Sequence, residues 1–199
     1  MRLIVASNNA GKLREIEQIL GGSFDEILSM RQMGIEIEVD ENGDTFEQNA
    51  LKKAQAIQAL LSEEAVISDD SGLAVDALGG APGVYSARFS GEKANDEDNN
   101  KKLLESLKDV PDGKRTARFV SCVCLVRPGR APLLTLGECS GEIAFSPKGG
   151  EGFGYDPLFL SDDYRGRTFG EISADEKNAI SHRARAITAL CRLLEREEL

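Results

Sequence analysis

The first segment with the composition of a ligand-binding site is a polar turn made of Ser7, Asn8, Asn9, Ala10, Gly11 and Lys12. It follows a short apolar run and precedes Leu13, Ile16 and Ile19, whose spacing predicts a helix. Helix N-terminal amides, a glycine and a lysine together favour binding of a phosphate group. A purely structural turn is the alternative. A Walker A loop is excluded, because Ala6 and Leu13 occupy positions that need glycine and a hydroxyl residue.

Two adjacent acids, Asp69 and Asp70, follow the apolar run Ala65 to Ser68, which predicts a strand that gives way to a loop at Asp69. Adjacent carboxylates repel each other, so a bound cation stabilises them. Glu41, in a separate acid-rich segment, is a candidate third carboxylate. Oxygen ligands in a chain with one histidine favour Mg²⁺, with Mn²⁺ as a substitute, over zinc. A surface turn for the aspartates and a solvated face for the acidic segment stay open as alternatives.

A glycine-rich segment from Gly149 to Pro157, here called the glycine loop, carries Phe153, Tyr155 and Asp156. Glycines such as Gly154 let a ligand approach the backbone closely, and the two rings offer faces for a nucleobase. The carboxylate can accept hydrogen bonds from ring N–H groups. The alternative is a mobile loop whose two rings return to the core.

A small basic island, formed by Lys177, His182 and Arg183 around Ser181, is predicted on the first turns of the last helix. A single histidine more often has a structural role, but its neighbours here favour a role in binding. The sequence therefore contains a phosphate turn, an acidic metal site, an aromatic loop and a basic patch. These are the components needed to bind a nucleoside triphosphate with Mg²⁺.

The pattern of apolar residues predicts the elements that position these segments. Strands are predicted at residues 2–7, 35–39, 65–68, 116–126, 133–136 and 142–145, and Cys122 and Cys124 share one face of the fourth. Helices are predicted after the polar turn, from a cap at Asp44 or Thr45 to Leu61, from a cap at Asn95 or Asp96 to Leu107, and from Ile180 to Leu194. Without a linker or an internal repeat, this pattern predicts one mixed α/β domain over residues 1–199.

The composition argues against several classes of partner. The 199 residues include 34 acids and 24 bases, and the net charge of -10 repels a nucleic-acid backbone and an anionic membrane. The longest run without charged residues, Ala77 to Ala87, has 11 residues and is too short to span a bilayer. The apolar run at the start is too short for a signal peptide, and the four cysteines form no C-x-x-C pair. We expect a cytoplasmic protein with reduced, mostly buried thiols.

Six motifs occur in chain order: Ser7-x-Asn9-x-x-Lys12, Thr45-Phe46-x-x-Asn49-Ala50-x-x-Lys53-Ala54, Asp69-Asp70-Ser71-Gly72-Leu73, Gly79-Gly80-Ala81-Pro82-Gly83-x-Tyr85-Ser86-Ala87-Arg88, Phe153-Gly154-Tyr155-Asp156-Pro157 and Ser181-His182-Arg183. Together they resemble the inosine triphosphate pyrophosphatase family, and the bacterial XTP/dITP branch looks most similar. The resemblance runs from the first predicted strand to the last predicted helix. It implies an enzyme that hydrolyses the deaminated purine nucleotides ITP, dITP and XTP to the monophosphate and pyrophosphate with Mg²⁺. Such an enzyme clears these nucleotides from the precursor pool.

The family also implies an architecture and a set of site residues. The fold would be an elongated two-lobed α/β structure around a long central mixed β-sheet with flanking helices, with the active cleft between the lobes and a homodimeric assembly. The polar turn would hold the triphosphate, Asp70 would be the general base and a metal ligand, Glu41 would assist the metal, and Asp69 is a further candidate ligand. The other nucleotide-binding residues that the resemblance implies are Lys53, Ser71, Phe153, Gly154, Tyr155, Asp156, Lys177, His182 and Arg183. The residues alone do not separate Asp69 from Asp70 as the base.

In this chemistry water attacks the α-phosphorus and pyrophosphate leaves, so negative charge must be stabilised on both groups. Lys12, the turn amides and Mg²⁺ are expected to do so, while Asp70 orients the water and takes its proton. Hypoxanthine and xanthine carry an acceptor at C6 where adenine carries a donor, so a donor at the His182–Arg183 turn would discriminate by roughly 10⁴. The alternatives are a Maf-type nucleotide pyrophosphatase acting on dTTP, UTP or modified nucleotides, and a nucleotide-binding regulator without turnover.

Overall fold

A six-stranded mixed sheet with flanking helices forms the fold in the computed structural model, which describes residues 2–22, 24–61 and 63–197. The strands are β1 (Arg2–Val5), β2 (Glu26–Ser29), β3 (Ala65–Val75), β4 (Thr116–Val126), β5 (Leu133–Ile143) and β6 (Phe159–Ser161). The helices are α1 (Ala10–Leu20), α2 (Phe46–Gln58), α3 (Asp96–Ser106), α4 (Ala174–Ile180) and α5 (His182–Glu197). Short 3₁₀ helices occur at Asp76–Leu78, Gly83–Arg88 and Phe169–Glu171. The predicted α/β class is confirmed.

The strand order in the sheet is β2-β1-β3-β4-β5-β6. β1 pairs in parallel with β2 and with β3, whereas β5 and β6 are antiparallel, so the sheet is mixed. The backbone divides into two compact units. Unit 1 contains the chain up to Asp70, Ser121–Gly137 and the chain from Arg183 onward, and unit 2 contains Ser71–Val120 and Glu138–His182. Each of the three long strands contributes residues to both units, and a single domain over the whole chain stays a prediction.

In unit 1 the sheet is covered on both faces. Along β1 and just beyond it, Leu3 and Val5 point to one face and Ile4 and Ala6 to the other, as the two-residue repeat of a strand requires. The first, here called the α1/α5 face, is covered by Ile16, Leu20, Ala186, Ile187 and Leu190. The second, the α2 face, is covered by Ala50, Ala54 and Ile57. Cys122 and Cys124 lie together on the α2 face, which confirms that they share one face of their strand.

In unit 2 one apolar core is formed by α3 and the parts of the strands that belong to this unit. Its centre is aromatic: the ring centroid of Phe159 lies 4.6 Å from that of Phe119 and 5.1 Å from that of Phe169. Leu103 and Leu107 contribute the apolar side of α3. The third predicted helix is therefore confirmed, with Asn95 as its cap, since the Asn95 side chain accepts a hydrogen bond from the Asp98 amide.

Two strand predictions are wrong in ways that affect the candidate site. Residues 35–39 form no strand: Ile35 and Val39 pack against the α2-face core, but Ile37 between them is 37% exposed, so the alternation marks neither sheet pairing nor one continuous buried face. The predicted strand at residues 65–68 does not give way to a loop at Asp69. Instead β3 continues through Asp69 and Asp70 to Val75, because both aspartates are buried among polar partners.

Three further boundaries differ from the predictions. Residues 133–136 and 142–145 were predicted as separate strands, but one strand, β5, runs through Leu133–Ile143. The closing helix is interrupted at Ser181, whose extended backbone (φ -65°, ψ 156°) separates α4 from α5 and places Lys177 on α4. The sequence analysis did not predict β2 and β6, which have four and three residues and so offer little periodicity to detect.

The described cysteines are free, as expected. Cys122, Cys124 and Cys139 are buried and Cys191 is half-buried. Burial raises the pKa of both Cys122 and Cys124 to about 12, so these two thiols stay protonated and unreactive near neutral pH. In the described ranges, no helix is both long and apolar enough to cross a membrane.

The pairing of β5 with β6 generates a prediction about Gly141. An added Cβ there would overlap the carbonyl oxygen of Leu160 and lie 2.8 Å from the Phe159 ring. Because a backbone carbonyl cannot move away cheaply, we expect Gly141→Ala to lower the free energy of unfolding by about 1–3 kcal/mol in urea titrations. Gly150→Ala is the matched control: nothing lies within 4 Å of its Cβ position, so its effect should stay within about 0.5 kcal/mol. Equal effects would contradict the β5–β6 register.

Candidate active site

Asp69 and Asp70 lie at the end of the part of β3 that belongs to unit 1 and point to opposite faces of the sheet. Asp69 lies on the α1/α5 face, where its partners come from α1 and α5. Asp70 lies on the α2 face, where its hydrogen-bond donor is Asn49 of α2. On that same face, Ser68 donates to the carbonyl of Ala50 at 2.5 Å. The two neighbouring acids therefore have separate environments.

The Asp69 carboxylate is fully buried and surrounded by donors. Ser121 of β4 donates to its Oδ1 at 2.5 Å, while Oδ2 accepts from Arg183 Nη2 at 3.2 Å and pairs with Lys12 Nζ at 2.8 Å. Burial alone would raise the pKa of Asp69, but the charges of Arg183 and Lys12, with hydrogen bonds from Lys12 and Ser121, hold that pKa well below its usual value. Asp69 is thus ionised whenever the protein is folded near neutral pH.

Arg183, the second residue of α5, is 1% exposed. Its Nη1 bonds the Glu15 carboxylate of α1, and its Nη2 bonds Asp69. From its motif, Arg183 is predicted to lie near the base of a nucleotide. The structure instead engages both of its terminal nitrogens with two buried carboxylates of unit 1, and contact with a base stays a prediction.

Two lysines converge on the main chain at Asp69. Lys12 Nζ of α1 and Lys53 Nζ of α2 donate to the same carbonyl oxygen, that of Asp69, at 3.4 and 3.1 Å. Lys53 also forms an ion pair with Glu41. Each ammonium group also has a carboxylate partner, Asp69 for Lys12 and Glu41 for Lys53. Both lysines are nevertheless charged donors of the kind that can bind phosphate oxygens.

The Asp70 carboxyl is 4% exposed and has fewer partners. Among the described residues, Asn49 is its hydrogen-bond donor, at 3.0 Å. Burial raises the pKa of Asp70 to about 6, and the neighbouring Glu41 carboxylate adds to the increase, while Lys12, Lys53 and the bond from Asn49 oppose it. This carboxyl therefore titrates close to neutral pH and can exchange a proton there.

The polar turn after β1 is organised by its own side chains. Asn9 caps α1, and its Oδ1 accepts from the amides of Gly11 and Lys12 at 2.9 and 3.0 Å. The Asn9 amide in turn donates to Ser7 Oγ at 3.2 Å. The helix N-terminus was predicted as a phosphate cradle. In this structure two of its amides bond Asn9, while Asn8, Asn9 and Ala10 are exposed and Ser7 is half-buried.

In unit 2 the glycine loop is tied to α4 through a buried ion pair. Lys177 Nζ donates to Asp156 Oδ2 at 2.6 Å, and the same oxygen accepts from the Phe153 amide at 2.8 Å. The Lys177 ammonium also lies 4.7 Å from the Phe153 ring centroid. Gly152 is required beside this pair, because a Cβ at that position would overlap the Asp156 carboxylate. Asp156 therefore holds the glycine loop together by binding Lys177 and the Phe153 amide.

The remaining predicted residues of unit 2 have mainly buried positions. Tyr155 belongs to the aromatic core, and its hydroxyl donates to the carbonyl of Ser86 at 2.8 Å, so its ring is not an open face for a base. The His182 ring stacks on Phe119, with centroids 4.7 Å apart. Ser71 lies in β3 and is partly exposed. Of the two aromatic residues of the glycine loop, only Phe153 is half-buried rather than buried.

Three polar residues of the unit 1 cluster were not among the predicted site residues. They are Glu15, Asn49 and Ser121. Asn49 bridges two parts of the site, because it donates to Asp70 and accepts from the Gly43 amide at 2.8 Å, close to Glu41 in the chain. A signal was available: Asn49 and Glu15 fall next to the apolar stripes of α2 and α1, where a buried polar residue needs a partner.

A magnesium ion fits two of the predicted carboxylates. Across the described ranges, no group of three or more histidine, cysteine or acidic residues is arranged to hold a metal ion. At nucleotide sites, however, Mg²⁺ needs only one or two carboxylates, since phosphate oxygens and water complete its shell. Asp70 and Glu41 supply oxygen donors whose mutual repulsion a cation would relieve. Asp69 fits less well, because both of its oxygens already accept from protein donors.

The fold and this cluster define an α/β protein with a buried carboxylate–lysine cluster at the end of one part of β3. The model of the Ham1 family matches residues 3–193. The dITP/XTP pyrophosphatase of Clostridium perfringens is 48% identical over 194 residues, covering 95% of each chain, and that of Bacillus subtilis is 44% identical over 192 residues, covering 96% of each. The chain belongs to the Ham1 family, which confirms the family inferred from the six motifs.

Solved structures agree with this assignment. The Ham1 protein of Staphylococcus aureus has a TM-score of 0.85 and 39% identity, covering 99% of this chain and 100% of that one. The nucleoside-triphosphatase, or dITP/XTP pyrophosphatase, of Mycobacterium abscessus has a TM-score of 0.75 and 43% identity, covering 96% of this chain and 98% of that one. The α/β fold is therefore that of solved Ham1 proteins.

Asp70 generates a prediction about stability and pH in the absence of divalent metal ions. The pKa of Asp70 is about 6 in the folded protein and 3.8 as its ordinary value, so the protonated carboxyl favours the folded state. This contribution to the free energy of unfolding is fully present below about pH 4 and is lost as the pH rises through 6. At pH 7.5 we expect Asp70→Asn to be more stable than the wild type by up to about 3 kcal/mol. This gain should shrink below pH 6 and vanish near pH 4. Urea titrations across this pH range measure it, and a destabilised Asp70→Asn would contradict it.

Asp69→Asn is the matched comparison on the other face of the strand. It leaves the buried Arg183 and Lys12 short of a counter-charge, so we expect a loss of about 3–5 kcal/mol at pH 7.5. Ser121 can still donate to the new amide oxygen, so the loss should come from the charge. If both variants changed the free energy of unfolding by the same amount and sign, the separate environments of the two acids would be refuted.

Proposed function

We propose that this protein hydrolyses deaminated purine nucleoside triphosphates, namely ITP, dITP and XTP, to the nucleoside monophosphate and pyrophosphate. The observation that carries the proposal is the convergence of Lys12 and Lys53 on the Asp69 carbonyl, beside the Asp70 carboxyl. Relatives that are 44–50% identical over nearly the whole chain bear the name dITP/XTP pyrophosphatase, which supports the same substrate class. Membership of the Ham1 family leaves no reason to prefer a Maf-type enzyme.

The triphosphate is bound by unit 1 in this proposal. Lys12 and Lys53 supply two positive charges, and the exposed side chains of Asn8 and Asn9, with the half-buried Ser7, supply neutral polar groups. The ion pair of Lys12 with Asp69 holds its ammonium group in place before a ligand arrives. Preorganised charge of this kind stabilises the negative charge that builds up on the attacked and leaving phosphates.

Asp70 and Glu41 are the residues that would hold Mg²⁺, with Mn²⁺ as a substitute. The bound ion would neutralise phosphate charge and make a coordinated water more acidic. Asp69, the third predicted ligand, is assigned a different role: it holds Lys12 and Arg183 in position. Asp70 also orients the attacking water and takes its proton, and Asn49 fixes the carboxyl for this task by bonding one of its oxygens.

Base recognition is assigned to unit 2. Lys177 lies close to the Phe153 ring and Asp156 holds the Phe153 amide, so this ring is a fixed platform on which a purine can stack. A donor at the His182–Arg183 turn would bind the 6-oxo group of hypoxanthine or xanthine and oppose the amino group of adenine. His182 carries this role in our proposal, because the terminal nitrogens of Arg183 are engaged by Glu15 and Asp69. Homodimer formation and a cytoplasmic location stay predictions from the sequence.

A nucleotide panel tests the proposed reaction. We expect pyrophosphate release from ITP, dITP and XTP with Mg²⁺, much slower turnover of ATP, and loss of activity when the metal is chelated. Pyrophosphate and orthophosphate are measured separately for ITP, dITP, XTP, GTP, ATP and dTTP. Orthophosphate alone would overturn the reaction type, and equal rates on ATP and ITP would overturn the substrate class. A preference for dTTP or UTP would favour the Maf-type alternative.

The role of Asp70 is tested by Asp70→Asn. Loss of the base should lower kcat by at least about 10²-fold, while binding of ITP, measured by calorimetry, stays detectable. Asp76→Asn is the control, since Asp76 is an exposed aspartate bound to Thr116 and Arg118 and has no proposed role. Unchanged turnover in Asp70→Asn would remove Asp70 from the mechanism. Binding without turnover in the wild type would instead support a regulatory protein.

A further inference from the structure

Two side chains of α3 bind the glycine loop of unit 2 at Gly154. Asp96 Oδ2 accepts from the Gly154 amide at 2.7 Å, and Asn100 Nδ2 donates to the Gly154 carbonyl at 2.8 Å. Asp96 and Asn100 are four residues apart on α3 and so lie on the same side of that helix. Both backbone polar groups of one loop residue are therefore bound by neighbouring side chains of one helix.

These two hydrogen bonds lie at the edge of a cavity between the glycine loop and α3. A cavity of about 960 Å³ is lined on one side by α3, including Asn100 and Leu104, and on the other by the glycine loop from Gly149 to Gly154. A Cβ at Gly154 would meet nothing within 4 Å. Gly154 has no side chain that could pack on α3, so the hydrogen bonds from Asp96 and Asn100 are what hold this residue against the helix.

The hydrogen bonds fix the residue next to Gly154, which is Phe153. The amide that precedes the Phe153 Cα donates to Asp156, and the amide that follows it donates to Asp96. With both flanking peptide groups held, the backbone dihedrals of Phe153 are restrained, and with them the direction of the Cα–Cβ bond from which its ring extends. Gly154 has a φ of +63°, which a glycine adopts without strain.

We propose that Asp96 and Asn100 are positioning residues for the nucleobase: by binding Gly154, they hold the Phe153 ring where a purine stacks on it. The role in binding a purine rests on the proposed function, whereas the positioning of the Phe153 ring by Asp96 and Asn100 does not. Neither residue belongs to the six motifs, and neither contacts Phe153 through its own side-chain hydrogen bonds. Their effect on binding is therefore indirect.

A fluorescence experiment tests the structural part without any substrate. The chain contains no tryptophan, so Phe153→Trp introduces the only indole, at the position of interest. In this background we expect Asn100→Ala and Asp96→Ala to red-shift the emission and to increase quenching by acrylamide at least about twofold. Asp96→Asn should restore the parent values, because the amide oxygen still accepts from Gly154. Asp96→Asn and Asp96→Ala remove the same charge from the first turn of α3, so a difference between them reports the hydrogen bond to Gly154.

The controls are Glu97→Ala and Lys101→Ala, two residues that line the same cavity on α3 but form no hydrogen bond with Gly154 in the described part of the chain. Thermal unfolding of every variant checks that the fold is intact. If Asn100→Ala and Glu97→Ala gave the same emission and quenching, Asn100 would not position the ring and the inference would be overturned. This result does not depend on what the protein hydrolyses.

The kinetic test uses ITP, with inorganic tripolyphosphate as a ligand that lacks a base. Asn100→Ala and Asp96→Ala should raise KM for ITP about five- to tenfold with kcat within threefold, and leave inhibition by tripolyphosphate unchanged. The double variant Asn100→Ala with Phe153→Ala should bind ITP no more weakly than Phe153→Ala alone, because the two residues act through one ring. Additive losses, or an equal loss for tripolyphosphate, would overturn the proposal. A wild type that does not hydrolyse ITP would instead overturn the proposed function.

Discussion

The buried carboxylate of Asp69 is the constraint on which the arrangement of unit 1 depends. A charge with no exposure to water is tolerated only when donors surround it, and here they come from three other elements: Lys12 of α1, Ser121 of β4 and Arg183 of α5. Arg183 is equally buried and needs Glu15 as a second partner. Satisfying one carboxylate therefore fixes α1 and α5 against the sheet and places the Lys12 ammonium group.

Because β3 is pleated, the burial of Asp69 also determines the environment of Asp70. Because successive side chains of a strand point to opposite faces, burying Asp69 among cations on the α1/α5 face sends Asp70 to the α2 face. There Asn49 is its hydrogen-bond donor within the described part of the chain, and the repulsive carboxylate of Glu41 is nearby. The two acids are identical in type and adjacent in sequence, yet the pKa of one is lowered and that of the other is raised. The carboxyl that can exchange a proton near neutral pH is the one with fewer partners.

The sequence predicted the elements whose signals are local and strong. The apolar stripes of α1, α2 and α3, the caps of α2 and α3, and the long apolar run of β4 are reproduced by the structure. The wrong prediction at Asp69 has a physical cause, which is that tertiary contacts override local preference. Asp69-Asp70-Ser71-Gly72 has the composition of a turn, but Arg183 and Lys12, far away in the chain, make it part of a strand. Had the strand been extended in the prediction, its two-residue period would have separated the two aspartates.

Several of the predicted site residues have partners within the protein that their motifs did not indicate. A motif marks residues whose type is restricted. The type of a buried polar residue that hydrogen-bonds other buried polar groups is as restricted as that of a residue that faces a ligand. Tyr155 donates to a main-chain carbonyl within the core, and Asp156 neutralises Lys177 and holds the Phe153 amide. Sequence spacing cannot distinguish such hydrogen bonds within the protein from contacts to a ligand, because the bonded residues are distant in the chain. The burial of each polar group and the atoms that hydrogen-bond it distinguish residues that hold the site together from residues that remain able to bind a ligand.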